Sequence, residues 1–246
     1  MRRIELFGYP MDSATMDETV DWIHRRLEKR IFTQHVVVNV AKLVHMRGNL
    51  ELARSVCECD VINIDGMGVV WGARILGEDV PERVAGVDLF DRLLQLSAER
   101  AYPVYLLGGT ASIVERTARV VAQQYPTLLL AGYNDGYFWE DERRVVDAIR
   151  NSGARLLFVA ITSPKKENFI NKWKYDLGVD FVMGVGGTFD VVAGKVRRAP
   201  EWMQRSGLEW LYRVIQEPGR MWKRYLLTNA QFVLMVGKAY LLALRG

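Results

Sequence analysis

The chain has 246 residues, half of them hydrophobic, and a net charge of +4. This length suits one large α/β domain or one domain with an appendage, and it excludes a disordered chain, a fibrous protein or a miniprotein. Two nearby cysteines, Cys57 and Cys59, argue against a disulfide framework or a structural zinc site. The N-terminus lacks an apolar run of signal-peptide length, so we expect a cytoplasmic protein.

Short apolar runs alternate with amphipathic segments of helical length. The runs predict strands at residues 35–40, 60–64, 103–108, 128–133, 155–161 and 180–185. Apolar strands separated by helices indicate a parallel sheet that is covered on both faces. We therefore predict a Rossmann-like, doubly wound α/β fold with a mostly parallel sheet over residues 1–195. Ligands of such sheets bind beyond the carboxyl ends of the strands.

Two charged residues stand out near the second of these strand ends. Asp65 follows strand 60–64 and precedes a glycine and an apolar helix. An acid there either caps the helix or, when partly buried, acquires the raised pKa of a general base. Arg83 follows shortly afterwards and either pairs with an acid or holds an anion.

Two glycine-rich turns follow later strands. Gly108 and Gly109 lie in LLGGT, which lacks the G-x-G-x-x-G spacing, so the turn either binds phosphate or is purely structural. The turn GVGGTFD contains Gly186 and Gly187, and its glycines allow a ligand to approach the main chain closely. Asp190 could then bind a ribose hydroxyl, and a tight turn without a ligand is the alternative.

The C-terminal quarter is basic. Residues 195–224 contain eight basic and three acidic side chains, which favours an anionic partner. We predict a helical appendage over residues 196–246, in which Pro218 begins a new helix and Arg220 and Arg224 share a face. The final apolar run is broken by Lys238 and is too short to span a bilayer, so it suits a membrane interface or another subunit.

The sequence resembles the bacterial glycosyltransferases of the WecG/TagA/CpsF family, glycosyltransferase family 26. The resemblance covers residues 1–225 through motifs that include VVNVAKL, IDGMGVVWGARILG, ERVAGVDL, YPTLLLAGYNDGYF, SPKKENFI and GVGGTFDVVAGKVRRAPEWMQRSGLEWLYRVIQEP. It implies an inverting hexosyltransferase that needs neither metal nor cofactor. Such an enzyme moves a sugar from a UDP-sugar to an undecaprenyl-diphosphate-linked saccharide in cell-surface polysaccharide synthesis, on the anionic inner face of the membrane.

The resemblance also implies roles for particular residues. Asp65 matches the proposed general base, and the sugar-pocket side chains match Asn39, Arg83, Lys166 and Glu167. Tyr137 falls in the motif associated with the uracil. The appendage arginines that close over the site match Arg213, Arg220 and Arg224.

Two departures from the family pattern concern the sugar end of the pocket. Val37 replaces a threonine and Lys166 a glutamine, so we expect either an N-acetylmannosamine-type or a glucose-type donor. Two other functions remain open from the residues alone. One is a nucleotide-dependent oxidoreductase, suggested by the Rossmann pattern, and the other is a nucleic-acid-binding module that uses the basic quarter. We expect no nucleic-acid partner and allow for a homo-oligomer.

Overall fold

The computed structural model describes residues 1–244, apart from the side chains of Arg205, Arg220, Met221 and Arg224. Within this range, eight strands form one sheet: β1 (Arg2–Leu6), β2 (Tyr9–Ser13), β3 (Thr33–Val38), β4 (Val61–Ile64), β5 (Val104–Gly108), β6 (Leu130–Asn134), β7 (Leu156–Ala160) and β8 (Phe181–Gly184). Their order across the sheet is β1-β2-β4-β3-β8-β7-β5-β6. Strand β1 is antiparallel to β2, and the other neighbouring pairs are parallel. The predicted fold class is confirmed.

Helices connect these strands and cover the sheet. Those in the described range are α1 (Met16–Glu28), α2 (Val40–Met46), α3 (Leu50–Cys57), α4 (Met67–Ile75), α5 (Gly86–Arg100), α6 (Ala111–Gln124), α7 (Glu142–Asn151), α8 (Lys165–Trp173), α9 (Thr188–Val192), α10 (Glu201–Arg205), α11 (Glu209–Gln216) and α12 (Pro218–Ala243). Pro218 stands at the first position of α12, as predicted.

The six predicted strands are present as β3 to β8, but sequence reasoning missed the hairpin of β1 and β2. The register pairs Leu6 with Tyr9, so Phe7 and Gly8 form a two-residue loop. Both loop residues have positive φ, 57° and 82°, as a type I′ turn requires. The strands are short and partly charged, and the loop lacks the usual asparagine or aspartate, so the pattern gave no clear hairpin signal.

The two faces of the sheet bury different cores. One face has a single core beneath α1, α5, α6 and α9. The other face has two, one beneath α2, α3, α4 and α12 and the other beneath α7 and α8.

The last helix shares a core with the α/β body. Phe232, Met235 and Val236 of α12 are buried against α2 and α4. Gly72 of α4 leaves room for this contact, since a Cβ there would lie 2.6 Å from the Phe232 ring. The edge of the Phe232 ring also meets the ring of Phe7, with centroids 5.9 Å apart. One side of α12 is therefore fixed to the body, which determines the side left exposed.

Candidate functional site

The sheet brings three of the predicted site segments together. Asn39 follows β3, Asp65 follows the neighbouring β4, and the turn with Gly186 and Gly187 follows β8 on the other side of β3. A Cβ at Gly66 would lie 3.9 Å from Asn39 Cβ, so the first two segments are in close proximity. Asn39 is exposed, and its side-chain oxygen accepts a hydrogen bond from the Lys42 amide at 3.0 Å, which caps α2.

Asp65 does not cap the helix that follows it. The N-cap position of α4 is Gly66, with φ 110° and no side-chain capping bond. The half-buried Asp65 carboxylate instead faces the start of α5, where the Gly86 amide donates to Oδ2 at 3.4 Å. Of the two interpretations of this acid, helix capping is therefore wrong for α4.

The pKa of Asp65 is raised, and burial of its carboxylate is the largest cause. The positive charges of Arg83 and Arg213 and the hydrogen bond from Gly86 oppose the rise, whereas the negative charge of Glu209 reinforces it. A carboxylate with a raised pKa is a stronger base, so this environment suits proton acceptance.

Arg83 is paired with an acid that the sequence analysis did not single out. Its Nη1 lies 2.8 Å from Oε2 of Glu209 on α11, and both side chains are largely buried. A second arginine, Arg198, is bound by both carboxylate oxygens of Asp88. This hydrogen bonding raises the pKa of Arg198, and the charges of Glu209 and Asp65 raise it further. We call the group of Asp65, Arg83, Arg198, Glu209 and Arg213 the Asp65 cluster.

A buried ion triad lies close to the carboxyl end of β3. Glu167 Oε1 lies 2.7 Å from Lys42 Nζ and 2.9 Å from Lys166 Nζ. Lys42 Nζ also donates to the Val37 carbonyl oxygen at 2.7 Å, which joins α2, α8 and the end of β3. Burial raises the pKa of Glu167, but the two ammonium groups outweigh burial and hold it at about 2.

The Lys166 side chain packs against the end of β8 and the glycine turn that follows it. A Cβ at Gly184 would lie 2.7 Å from Lys166 Cε, and a Cβ at Gly186 would lie 3.8 Å from Lys166 Nζ. The lysine therefore requires glycine at the end of β8. Lys166 and Glu167 are both buried, so a contact between either side chain and a sugar stays a prediction.

Gly108 and Gly109 have structural reasons to be glycine. A Cβ at Gly108 would lie 2.4 Å from the Ala160 carbonyl oxygen on β7, and both glycines have positive φ. The Gly109 amide already donates to that oxygen at 3.0 Å. These contacts favour the structural interpretation of LLGGT, and phosphate binding by its amides stays a prediction.

Tyr137 lies far from Asp65 along the row of strand ends. It is 76% exposed and follows β6, next to the Gly108 and Gly109 turn. With adjacent strands about 4.8 Å apart, the ends of β5 and β6 lie about 19 and 24 Å from the end of β4. One ligand that contacts both Tyr137 and Asp65 must therefore extend along the strand ends.

The remaining predicted site residues are Asp190 and three arginines of the appendage. Asp190 on α9 forms an ion pair with Lys195 at 3.2 Å, so its role with a ribose stays a prediction. Arg213 lies 3.7 Å from Glu209 within the cluster. The side chains of Arg220 and Arg224 lie outside the described residues. In the part of the chain that the structure describes, no group of three His, Cys, Asp or Glu side chains could hold a metal ion.

Sequence reasoning missed Lys42, Arg198 and Glu209. Lys42 and Arg198 stand inside motifs that were recognised, VVNVAKL and GKVRRAP, but nothing in the local pattern indicates a buried partner. Glu209 is one of only three acids among eight bases in residues 195–224, and that contrast is the one signal that could have found it.

Comparison with known proteins agrees with the resemblance. Residues 4–245 match the model of the glycosyl transferase WecG/TagA/CpsF family. The chain belongs to this family.

Two relatives have the same name, N-acetylglucosaminyldiphosphoundecaprenol N-acetyl-beta-D-mannosaminyltransferase. The protein from Bacillus spizizenii strain W23 is 38% identical over 167 residues, which is 68% of this chain and 64% of the relative. The protein from Bacillus subtilis strain 168 is 36% identical over 162 residues, which is 66% of this chain and 62% of the relative. The chain thus spans somewhat less than two thirds of the length of these relatives.

We predict that Glu167→Gln destabilises the fold, because two ammonium groups would remain buried without their carboxylate. The expected cost is about 3–5 kcal/mol at pH 7, measured by urea denaturation. Glu115→Gln, which removes the same charge from an exposed ion pair on α6, should cost less than about 1 kcal/mol.

The cost of Glu167→Gln should also depend on pH. The pKa of Glu167 is about 2 in the folded state and 4.5 ordinarily, so the carboxylate stabilises the fold above about 4.5. That stabilisation is lost as the pH falls from about 4.5 towards 2, and the gap between the wild type and the variant should narrow there. A cost equal to that of the control, or one independent of pH, would contradict the assignment.

Proposed function

We propose that the protein is an inverting glycosyltransferase that moves a sugar from a UDP-sugar to a saccharide linked to undecaprenyl diphosphate. The observation that carries the proposal is the half-buried Asp65 carboxylate at the end of β4, with its raised pKa, among the guanidinium groups of Arg83, Arg198 and Arg213. A proton acceptor beside fixed positive charge suits a reaction in which a hydroxyl attacks and a diphosphate leaves. Membership of a glycosyltransferase family supports the same reaction.

Asp65 acts as the general base in this mechanism. Its carboxylate accepts the proton of an acceptor hydroxyl, whose oxygen attacks the anomeric carbon of the donor. The new carbon–oxygen bond forms on the face opposite the bond to the diphosphate oxygen, which breaks, and UDP leaves with the electron pair. One displacement of this kind inverts the anomeric configuration. Arg213, together with Arg220 and Arg224, offsets the charge of the leaving diphosphate.

The donor lies along the strand ends in this proposal. Its sugar lies near Asn39 and Asp65, its diphosphate near the turn with Gly186 and Gly187, and its uracil towards Tyr137. The names of the two Bacillus relatives support an N-acetylmannosamine-type sugar and an N-acetylglucosamine-bearing lipid acceptor. Val37 and Lys166 are the reason to test a glucose-type donor as well.

The family match supports glycosyl transfer over the two other functions that the residues left open. The turn LLGGT lacks the G-x-G-x-x-G spacing, which disfavours the oxidoreductase. Arg83 and Arg198 are already paired with acids, so these two side chains do not form a free basic surface for nucleic acid.

We predict that Asp65→Asn lowers the transfer rate by about 10²–10⁴-fold, since the amide cannot accept the proton. The measurement is product formation from a panel of UDP-sugars and an undecaprenyl-diphosphate N-acetylglucosamine acceptor, with EDTA present throughout. Wild-type activity should persist in EDTA. Asp147→Asn, which removes an exposed carboxylate from α7, serves as the matched control and should keep full activity. A metal requirement, or an Asp65→Asn variant as active as the control, would refute the mechanism.

We further propose that the exposed side of α12 contacts the cytoplasmic face of the membrane. Residues Tyr225–Ala243 are long and apolar enough to cross a bilayer by length and composition, so the expectation that this run is too short was wrong. Burial of Phe232, Met235 and Val236 against the body favours a helix that lies along the membrane surface instead. Large apolar side chains are exposed on the remaining surface of α12 and on α4, among them Leu226, Leu227, Val233, Leu234, Leu241, Trp71 and Ile75.

We predict that the protein is retained on vesicles containing anionic phospholipid and that Leu227→Ser and Leu234→Ser each weaken retention. The expected loss is about tenfold for each leucine side chain withdrawn from the bilayer. Leu50→Ser, at an exposed leucine of α3, is the matched control and should not change retention. Point variants are preferable to removal of residues 225–246, because truncation would also remove buried core residues. Equal retention of all variants would contradict a membrane contact by this side of α12. Self-association without vesicle binding would instead favour a second copy of the chain as its partner.

A further inference from the structure

Glu209 lies between an arginine of the α/β body and an arginine of its own helix. Its Oε2 lies 2.8 Å from Arg83 Nη1, and its Oε1 lies 3.7 Å from Arg213 Nη2. The Arg83 and Glu209 side chains are only 14% and 19% exposed. The contact is therefore partly shielded from solvent and links positions 126 residues apart in the chain.

Several elements contribute charged or polar groups to the surroundings of Asp65. The loop before α5 contributes Arg83, and the first residue of α5 contributes the Gly86 amide. Helix α11 contributes Glu209 and Arg213.

Arg198 approaches from the segment before α10 and is held by Asp88 of α5. The neighbouring strand end contributes Asn39, which is uncharged, and the side chains of Arg220 and Arg224 lie outside the described residues.

Arg83 would be a natural partner for Asp65 if Glu209 were absent. A guanidinium group within about 4–6 Å typically lowers the pKa of an aspartate by about 1–3. An aspartate in such an ion pair is a poor proton acceptor. In the structure, the Arg83 guanidinium donates to Glu209 instead. The negative charge of Glu209 also raises the pKa of Asp65, in addition to the effect of burial.

We propose that Glu209 is a positioning residue, which holds Arg83 and Arg213 so that the Asp65 carboxylate stays free to accept the acceptor's proton. This inference rests on the proposed role of Asp65 as general base. It gives the appendage a specific task, because α11 must be docked on the body for Glu209 to reach Arg83. The proton acceptor and the groups that tune it then come together only in the docked arrangement.

The test measures the titration of Asp65 directly, by carbon-detected NMR of its carboxylate in the full-length protein. Glu209→Gln should lower the Asp65 pKa by about 1 or more, since Arg83 is released and a negative charge is lost. The acidic limb of kcat/KM against pH should move to lower pH by the same amount, because the rate rises as Asp65 loses its proton. A weaker base should also lower the plateau rate.

One further variant separates charge from packing, and a second serves as a control. Glu209→Asp keeps the negative charge and should return the Asp65 pKa most of the way to that of the wild type. If Glu209→Gln does not fold, the comparison of Glu209→Asp with the wild type still tests the role, and an Asp65 pKa lowered by 1 or more in this variant would overturn it. Glu99→Gln, at an exposed position of α5, is the matched control and should leave both the titration and the pH profile unchanged.

The outcomes distinguish this inference from the proposed function. An Asp65 pKa that does not respond to Glu209→Gln, with a rate lowered equally at every pH, would overturn the positioning role while the transferase remained intact. An Asp65 pKa that responds as expected in a protein that transfers no sugar would refute the proposed function and leave the effect of Glu209 on Asp65 established.

Discussion

The structure depends at its site on one electrostatic constraint: a half-buried carboxylate must stay close to several guanidinium groups without being neutralised by them. Burial raises the pKa of Asp65, and the charges of Arg83 and Arg213 oppose that rise. The balance is maintained because Arg83 is paired with Glu209 and Arg198 with Asp88. Glu209 comes from α11, so the docking of this helix contributes to the basicity of Asp65.

A second charged group, the buried ion triad, stabilises the same strand ends from within the protein. The triad of Lys42, Lys166 and Glu167 joins α2 to α8 between two apolar cores and places Lys166 against the glycine turn. Removing one member of such a buried group costs far more than removing an exposed ion pair. The triad therefore fixes the relative position of the strand ends on which the ligand is proposed to lie, and its contribution is structural wherever the sugar binds.

Much of the fold follows from periodicity in the sequence. The strands β3 to β8 and the start of α12 at Pro218 were predictable, because buried parallel strands read as continuous apolar runs and proline favours the first turn of a helix. The β1–β2 hairpin was not, since its turn consists of Phe7 and Gly8 without the usual polar residue. Asp65 was found from its place after a strand. The Glu209 that pairs with Arg83 lies 126 residues further along the chain than that arginine, and long-range pairing leaves no local pattern. The exposed side of α12 could not be predicted either, because it depends on which residues of this helix the α/β body buries.

The most direct test of the account is a crystal structure of the protein with UDP bound. The account predicts that the diphosphate lies at the turn with Gly186 and Gly187, facing the Asp65 cluster, and that the uracil lies towards Tyr137. The competing position is a polar surface cleft between α3 and α8, which has a volume of about 490 Å³ and is lined by residues that include Glu58 and Lys174. UDP bound in that cleft, and not at the carboxyl ends of the strands beside Asp65, would contradict the account.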